Sequence, residues 1–138
     1  MKALTIRQPW ASFIALGEKD IENRNWPTRF RGRVAIHASA RLTDSEVDAA
    51  FAICNHRHPN IQLSVLRERV QRMPLGSILG TVDIVDCVTA SDSPWFFGTY
   101  GFVLKDAKLV QQPIPCKGAL SFWTVPDEIA AQLEEAGL

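Results

Sequence analysis

Lys19, Glu22 and Arg24 fall within Gly17-Glu18-Lys19-Asp20-Ile21-Glu22-Asn23-Arg24, the pattern G-x-K-x-x-E-x-R. A carboxylate with a cation on either side can orient a water or accept a proton, while the cations hold developing negative charge. Only about one lysine in two thousand is neutral at pH 7, so Lys19 reads first as a fixed cation. A base role would need its pKa depressed by burial or nearby cations. Arg24 can offer a planar fork to a phosphate or carbonyl. The structural alternative is plain: Glu22 pairs with Arg24 or Lys19 and does nothing else.

Flat and polar side chains surround this group. Trp10 and Trp26 flank it in sequence and offer faces on which a base can stack, although either could equally be core. Gln8 carries a donor and an acceptor suited to a base edge. His37 and Ser39 are further ligand-binding candidates, followed by Trp95 and Tyr100, whose neighbours Gly98 and Gly101 suggest a mobile or tightly turning loop.

The elements that must position these residues can be read from periodicity and caps. An extended Asp20 to Trp26 puts Glu22, Arg24 and Trp26 on one face at ~6.6 Å steps, with Ile21 turned toward a core. Before it, Leu4 to Ile6 reads as a strand and Pro9 to Leu16 as a short helix ended by Gly17, which leaves Lys19 at a helix-to-strand junction. Gly32 to Ser39 alternates, with Val34, Ile36 and Ala38 on one side. His37 and Ser39 then face solvent or the cleft.

Thr43-x-x-Glu46 predicts a capping box opening a helix to about Cys54, and a second helix is expected from about Leu63 to Met73. Ser77 to Val88 reads as a strand. Tyr100 to Leu104 and Leu109 to Gln112 read as a hairpin joined by Lys105-Asp106-Ala107-Lys108. Leu120 to Val125 is expected as a last strand, and Thr124 to Asp127 caps a final helix packing Ile129, Ala130 and Leu133.

The chain of 138 residues suits a single domain over 1–138, long enough to bury a core without disulfides. Its apolar share of 46% and charged share of 22% are those of an ordinary globular protein. No apolar run approaches the ~20 residues that span a bilayer, and nothing near Met1 resembles a signal-peptide core, so a cytoplasmic location and no membrane partner are expected. Cys54, Cys87 and Cys116 are odd in number and show no C-x-x-C, which argues for reduced thiols. Net charge is zero, yet residues 1–72 hold 12 Lys+Arg against 7 Asp+Glu and residues 73–138 hold 3 against 8. Arg24, Arg29, Arg31 and Arg33 lie in the basic half and could steer an anion, or form a solvated face.

Cys54, His56 and His58 could meet a zinc ion, but no second ligand pair matches them and no metal is expected. There is no Gly-rich phosphate loop, nucleophile elbow or H-E-x-x-H, so no cofactor is expected either.

Arg7-Gln8-Pro9-Trp10, then G-x-K-x-x-E-x-R, then Arg31-Gly32-Arg33-Val34-Ala35-Ile36-His37-Ala38-Ser39 together resemble an ASCH domain of the PUA-like superfamily. Trp95-Phe96-Phe97-Gly98-Thr99-Tyr100-Gly101-Phe102 and Pro115-Cys116-Lys117-Gly118 through Phe122-Trp123 are similar to its long bacterial members. The resemblance implies an α+β fold, a mixed small β-barrel with flanking helices, whose cleft carries Lys19, Glu22 and Arg24 as the catalytic candidates. It also implies RNA or a modified nucleoside as the partner. Some compact ASCH-like proteins deacetylate N4-acetylcytidine and others are metal-independent ribonucleases, while PUA-like relatives bind RNA without chemistry. The deacetylases carry a threonine three residues after the lysine; this chain has Glu22 there, so a Glu22-activated water would replace direct hydroxyl attack.

Overall fold

The computed structural model describes residues 1–57 and 62–138. Its elements run β1 (Lys2–Ile6), α1 (Trp10–Ala15), β2 (Ile21–Arg24), β3 (Gly32–Ala38), α2 (Asp44–Arg57), α3 (Leu63–Gln71), β4 (Ser77–Val88), β5 (Tyr100–Pro115), β6 (Phe122–Thr124) and α4 (Asp127–Glu135). The strands form one mixed sheet in the order β2-β5-β4-β3-β1-β6, with β1 and β3 parallel and all other neighbours antiparallel.

Alternation along the strands divides apolar side chains between two cores. Leu4, Ile6, Val34, Ile36, Val82, Ile84, Phe102 and Leu104 fill the inner face, where Ala11, Ile14 and Ala15 of α1 pack among them. Ala3, Ala35 and Ile78 turn to the other face and are covered by Val125 and Leu133. The side of β3 that sequence left to solvent or cleft is therefore a second core, because α4 folds back over it. His37 lies there at 2% exposure.

The sheet is a half-barrel rather than a closed one. Its two edges nonetheless approach: the Arg24 guanidinium on β2 donates to the Thr5 carbonyl on β1 at 3.1 Å, and Trp26 meets Phe122 of β6 at 5.6 Å between ring centroids. Side chains close the part of the barrel that backbone hydrogen bonds leave open, and the seam between these edges is where the cleft forms.

The expected hairpin at Lys105 to Lys108 does not exist. β5 is one strand that pairs with β4 from Gly101 to Pro115, and Asp106 takes a positive φ of 57° beside a register shift. A bulge absorbs the polar residues without reversing the chain. The capping box is half formed: the Glu46 backbone N–H donates to Thr43 Oγ1, but the Glu46 carboxylate goes to Arg7. The α2–α3 pair inserted between β3 and β4 buries Val47, Leu66 and Val70 against one another.

Candidate nucleotide-binding cleft

The segment carrying Lys19 to Arg24 is fixed at both ends. Gly17 ends α1 at φ 81°, and the backbone N–H groups of Glu18 and Lys19 both donate to the Phe13 carbonyl. β2 then pairs with β5, Glu22 opposite Phe102 and Arg24 opposite Tyr100. Ile21 turns to a core with Phe13 and Trp95, as the two-residue period requires.

Glu22 is the hub. Its Oε1 lies 3.7 Å from Lys19 Nζ and accepts from the Asn23 backbone N–H at 3.1 Å; its Oε2 accepts from Arg24 at 3.2 Å. A carboxylate oxygen has two lone pairs, so Oε2, with Arg24 as its single donor, retains acceptor capacity. Lys19 is only 3% exposed and also donates to the Ile21 carbonyl. Burial pushes its ammonium below the ordinary lysine value, against the pull of Glu22 and Asp20. Lys19 thus stands behind Glu22 rather than on the cleft wall.

The cleft has a volume of about 430 Å³. It is lined by Thr5, Ile6 and Arg7 at the end of β1, by Trp10 of α1, by Glu22 to Arg24 of β2, and by Ser39 with Ala119 to Ser121. Of the residues singled out in sequence, Trp10, Glu22, Arg24 and Ser39 line it. Trp10 is half-buried, edge-on to Phe13 and Trp95 at 6.0 and 6.1 Å.

The other sequence candidates stand back from the cleft. Gln8 is fully buried: its amide donates to Ser12 Oγ and the Pro74 carbonyl, and its Oε1 accepts from the Ser12 N–H, capping α1. No donor remains to read a base edge. Trp26 packs on Phe102 and Phe122, beneath the Arg24 guanidinium at 5.8 Å. Trp95 is 4% exposed in the core behind Trp10. Tyr100 sits in the ladder opposite Arg24. Asn23 ties the start of their loop to β2: it donates to the Trp95 carbonyl at 2.8 Å and accepts from the Phe97 N–H at 2.9 Å.

His37 is locked on both nitrogens. Nε2 lies 2.6 Å from the Cys116 carbonyl and must donate to it; Nδ1, at 3.2 Å from Thr5 Oγ1, then accepts. Trp123 Nε1 donates to the same Thr5 hydroxyl at 3.0 Å. Burial lowers its pKa, against the opposing pull of the bond to the Cys116 carbonyl, and so favours the neutral imidazole. His37 is accordingly unsuited to drawing a proton from a ligand.

Sequence reasoning missed Thr5, Arg7, Asn23 and the 119–121 rim. Arg7 stands beside Gln8 in the motif that was read, but a strand end gives no sign of which neighbour faces a cleft. The rim follows Gly118, where an added Cβ would lie 2.5 Å from Thr5 Oγ1 and 2.7 Å from the His37 ring. Of the zinc candidates Cys54, His56 and His58, the last lies outside the described residues; among the described residues no group of three metal-binding side chains converges. Cys54 itself packs with Phe13, Ile21 and Trp95. No helix among the described residues is long and apolar enough to cross a membrane.

The ASCH domain family matches residues 4–116. Human activating signal cointegrator 1 is 29% identical over 91% of the chain, and its mouse counterpart 27% over 91%; the chain spans 22% of the length of each. The crystal structure of ASCH from Zymomonas mobilis superposes with a TM-score of 0.55 at 16% identity, over 97% of this chain and 93% of that one.

Proposed function

The chain belongs to the ASCH domain family, and from that premise we propose that its seam cleft binds a nucleobase-containing ligand, single-stranded RNA or a modified nucleoside. The observation that carries this reading is that an indole, Trp10, and the ion-paired Glu22 and Arg24 line one space of about 430 Å³. That space falls in the ~300–1,000 Å³ range of small-ligand sites. A base stacked on Trp10 puts its sugar and phosphate within reach of the cations Arg7 and Arg24, and its polar edge toward Glu22. Stacked bases must be splayed from a helix, which favours single strands over duplex.

A hydrolytic reading of the same cleft is supported by the clamping of Glu22 between Lys19 and Arg24. In that reading Glu22 takes a proton from water as the hydroxide adds to an acyl carbon, and Arg24 faces the oxyanion. Loss of the amine with that proton completes the step. Lys19 is then a positioning residue that fixes the carboxylate.

One set of measurements tests both. Fluorescence anisotropy is expected to show a labelled single-stranded RNA hexamer binding and its duplex not binding. Trp10→Ala, verified as folded by circular dichroism, should weaken binding about tenfold or more, the loss of one stacked base. A folded Trp10→Ala that binds unchanged overturns the stacking reading. Mass spectrometry of RNA and N4-acetylcytidine incubated with the protein reports the chemistry: product that disappears in Glu22→Gln assigns hydrolysis, and absence of product leaves a binding module.

A further inference from the structure

A second depression of about 340 Å³ adjoins the cleft and shares Thr5, Ser39, Ala119 and Leu120 with it. His37 lies beneath it, 2% exposed and hydrogen-bonded through both ring nitrogens. Gly118 is seated against that ring so closely that no side chain fits between them. The bonds from Trp123 to Thr5, Thr5 to His37 and His37 to Cys116 therefore define a rigid base under both depressions.

Between them stands Leu120, exposed at 92%. A lone exposed leucine is ordinary surface. This one forms a ridge common to two concave sites, on a segment whose next residue, Ser121, takes a φ of 56°. Cations border both sides: Arg7 and Arg24 the first, Arg41 and Lys117 the second. Neither Arg41 nor Lys117 forms an ion pair among the described residues, whereas Arg7 and Arg24 are paired with Glu46 and Glu22.

We infer that the second depression is a subsite for an adjacent nucleotide, so that the ligand is a single-stranded oligonucleotide of at least two residues crossing Leu120 rather than a free nucleoside. This rests on the nucleobase-binding reading of the first cleft. Two sites, each large enough for one small ligand, exceed what a nucleoside fills. A ridge between them separates consecutive bases, which a duplex does not permit and a single strand does. The unpaired cations on the far side suit the phosphate that follows.

The test compares uridine monophosphate, the dinucleotide UpU and a U6 oligomer by isothermal titration calorimetry. A rise of about tenfold or more in affinity from one nucleotide to two is expected, as for a second stacked base. Leu120→Ser and the double variant Arg41→Glu with Lys117→Glu alter exposed side chains. Both should remove most of that step, and the double variant, whose residues line only the second depression, should leave monophosphate affinity within about twofold. Equal affinity for one and two nucleotides overturns the second subsite and leaves the first reading standing. An undiminished step in both variants overturns it as well. Failure of all three ligands to bind removes the cleft reading and this inference together.

Discussion

At the residue scale, Lys19 shows how a buried cation is tolerated. Desolvation lowers its pKa, and Glu22 and Asp20 only partly offset this. The unfolded chain holds the lysine proton up to about 10.5, and the folded chain releases it earlier. Between those two values the unfolded state binds more protons, so stability rises with pH; below the folded value the full penalty is present. Urea unfolding of the wild type as pH is raised toward 10.5 should show this rise, bounded at about 1.4 kcal/mol per pH unit for one proton. Lys19→Met should flatten it. The same slope in the variant would place the titrating group elsewhere. The motif made Lys19 and Glu22 conspicuous in sequence, but not their order of depth. A lysine at a helix-to-strand junction can point either way, and only the placement of α1 under the sheet decides it.

At the element scale, local patterns were legible where one force dominated. Gly17 ends α1 and the period of β2 divides Ile21 from Glu22 and Arg24, because backbone sterics and burial act there without competition. Lys105 to Lys108 misled because polar residues within a long strand resemble a turn, whereas cross-strand pairing kept β5 continuous and used a bulge instead. β3 misled because its second face is covered by α4, an element distant in sequence. The β4–β5 contact that sustains the bulge depends on Gly80, where a Cβ would fall 2.1 Å from the Lys108 carbonyl oxygen. That atom is backbone and cannot swing aside. Gly80→Ala should therefore destabilise by about 1–3 kcal/mol or more through overpacking, read from the urea midpoint. Val65→Ala, at an exposed position on α3, should stay within about 0.5 kcal/mol. Equal midpoints would mean that β5 yields at the bulge.

At the scale of the whole molecule, charge is arranged differently from its order in sequence. The basic first half and acidic second half are interleaved by the sheet: Arg33 lies 3.3 Å from Asp83 and 3.6 Å from Asp106, and Arg31 lies 3.6 Å from Asp86. Of the arginines that sequence grouped as an anion-steering cluster, these two are neutralised by partners on β4 and β5, and Arg24 lines the cleft. Arg7, outside that group, joins it there. Ion-pair exchange with a polyanion releases counterions, and log K for single strands falls by about 0.7 per log unit of salt for each phosphate neutralised. Arg7→Ala should reduce the magnitude of that slope by about 0.7 when U6 binding is titrated from 50 to 200 mM salt. Arg33→Ala, which removes an equal formal charge at a residue that does not line the cleft, should leave it unchanged. If both variants reduce the slope equally, the protein attracts RNA through its overall field; a reduction confined to Arg7 places the phosphate contact at the seam of the half-barrel.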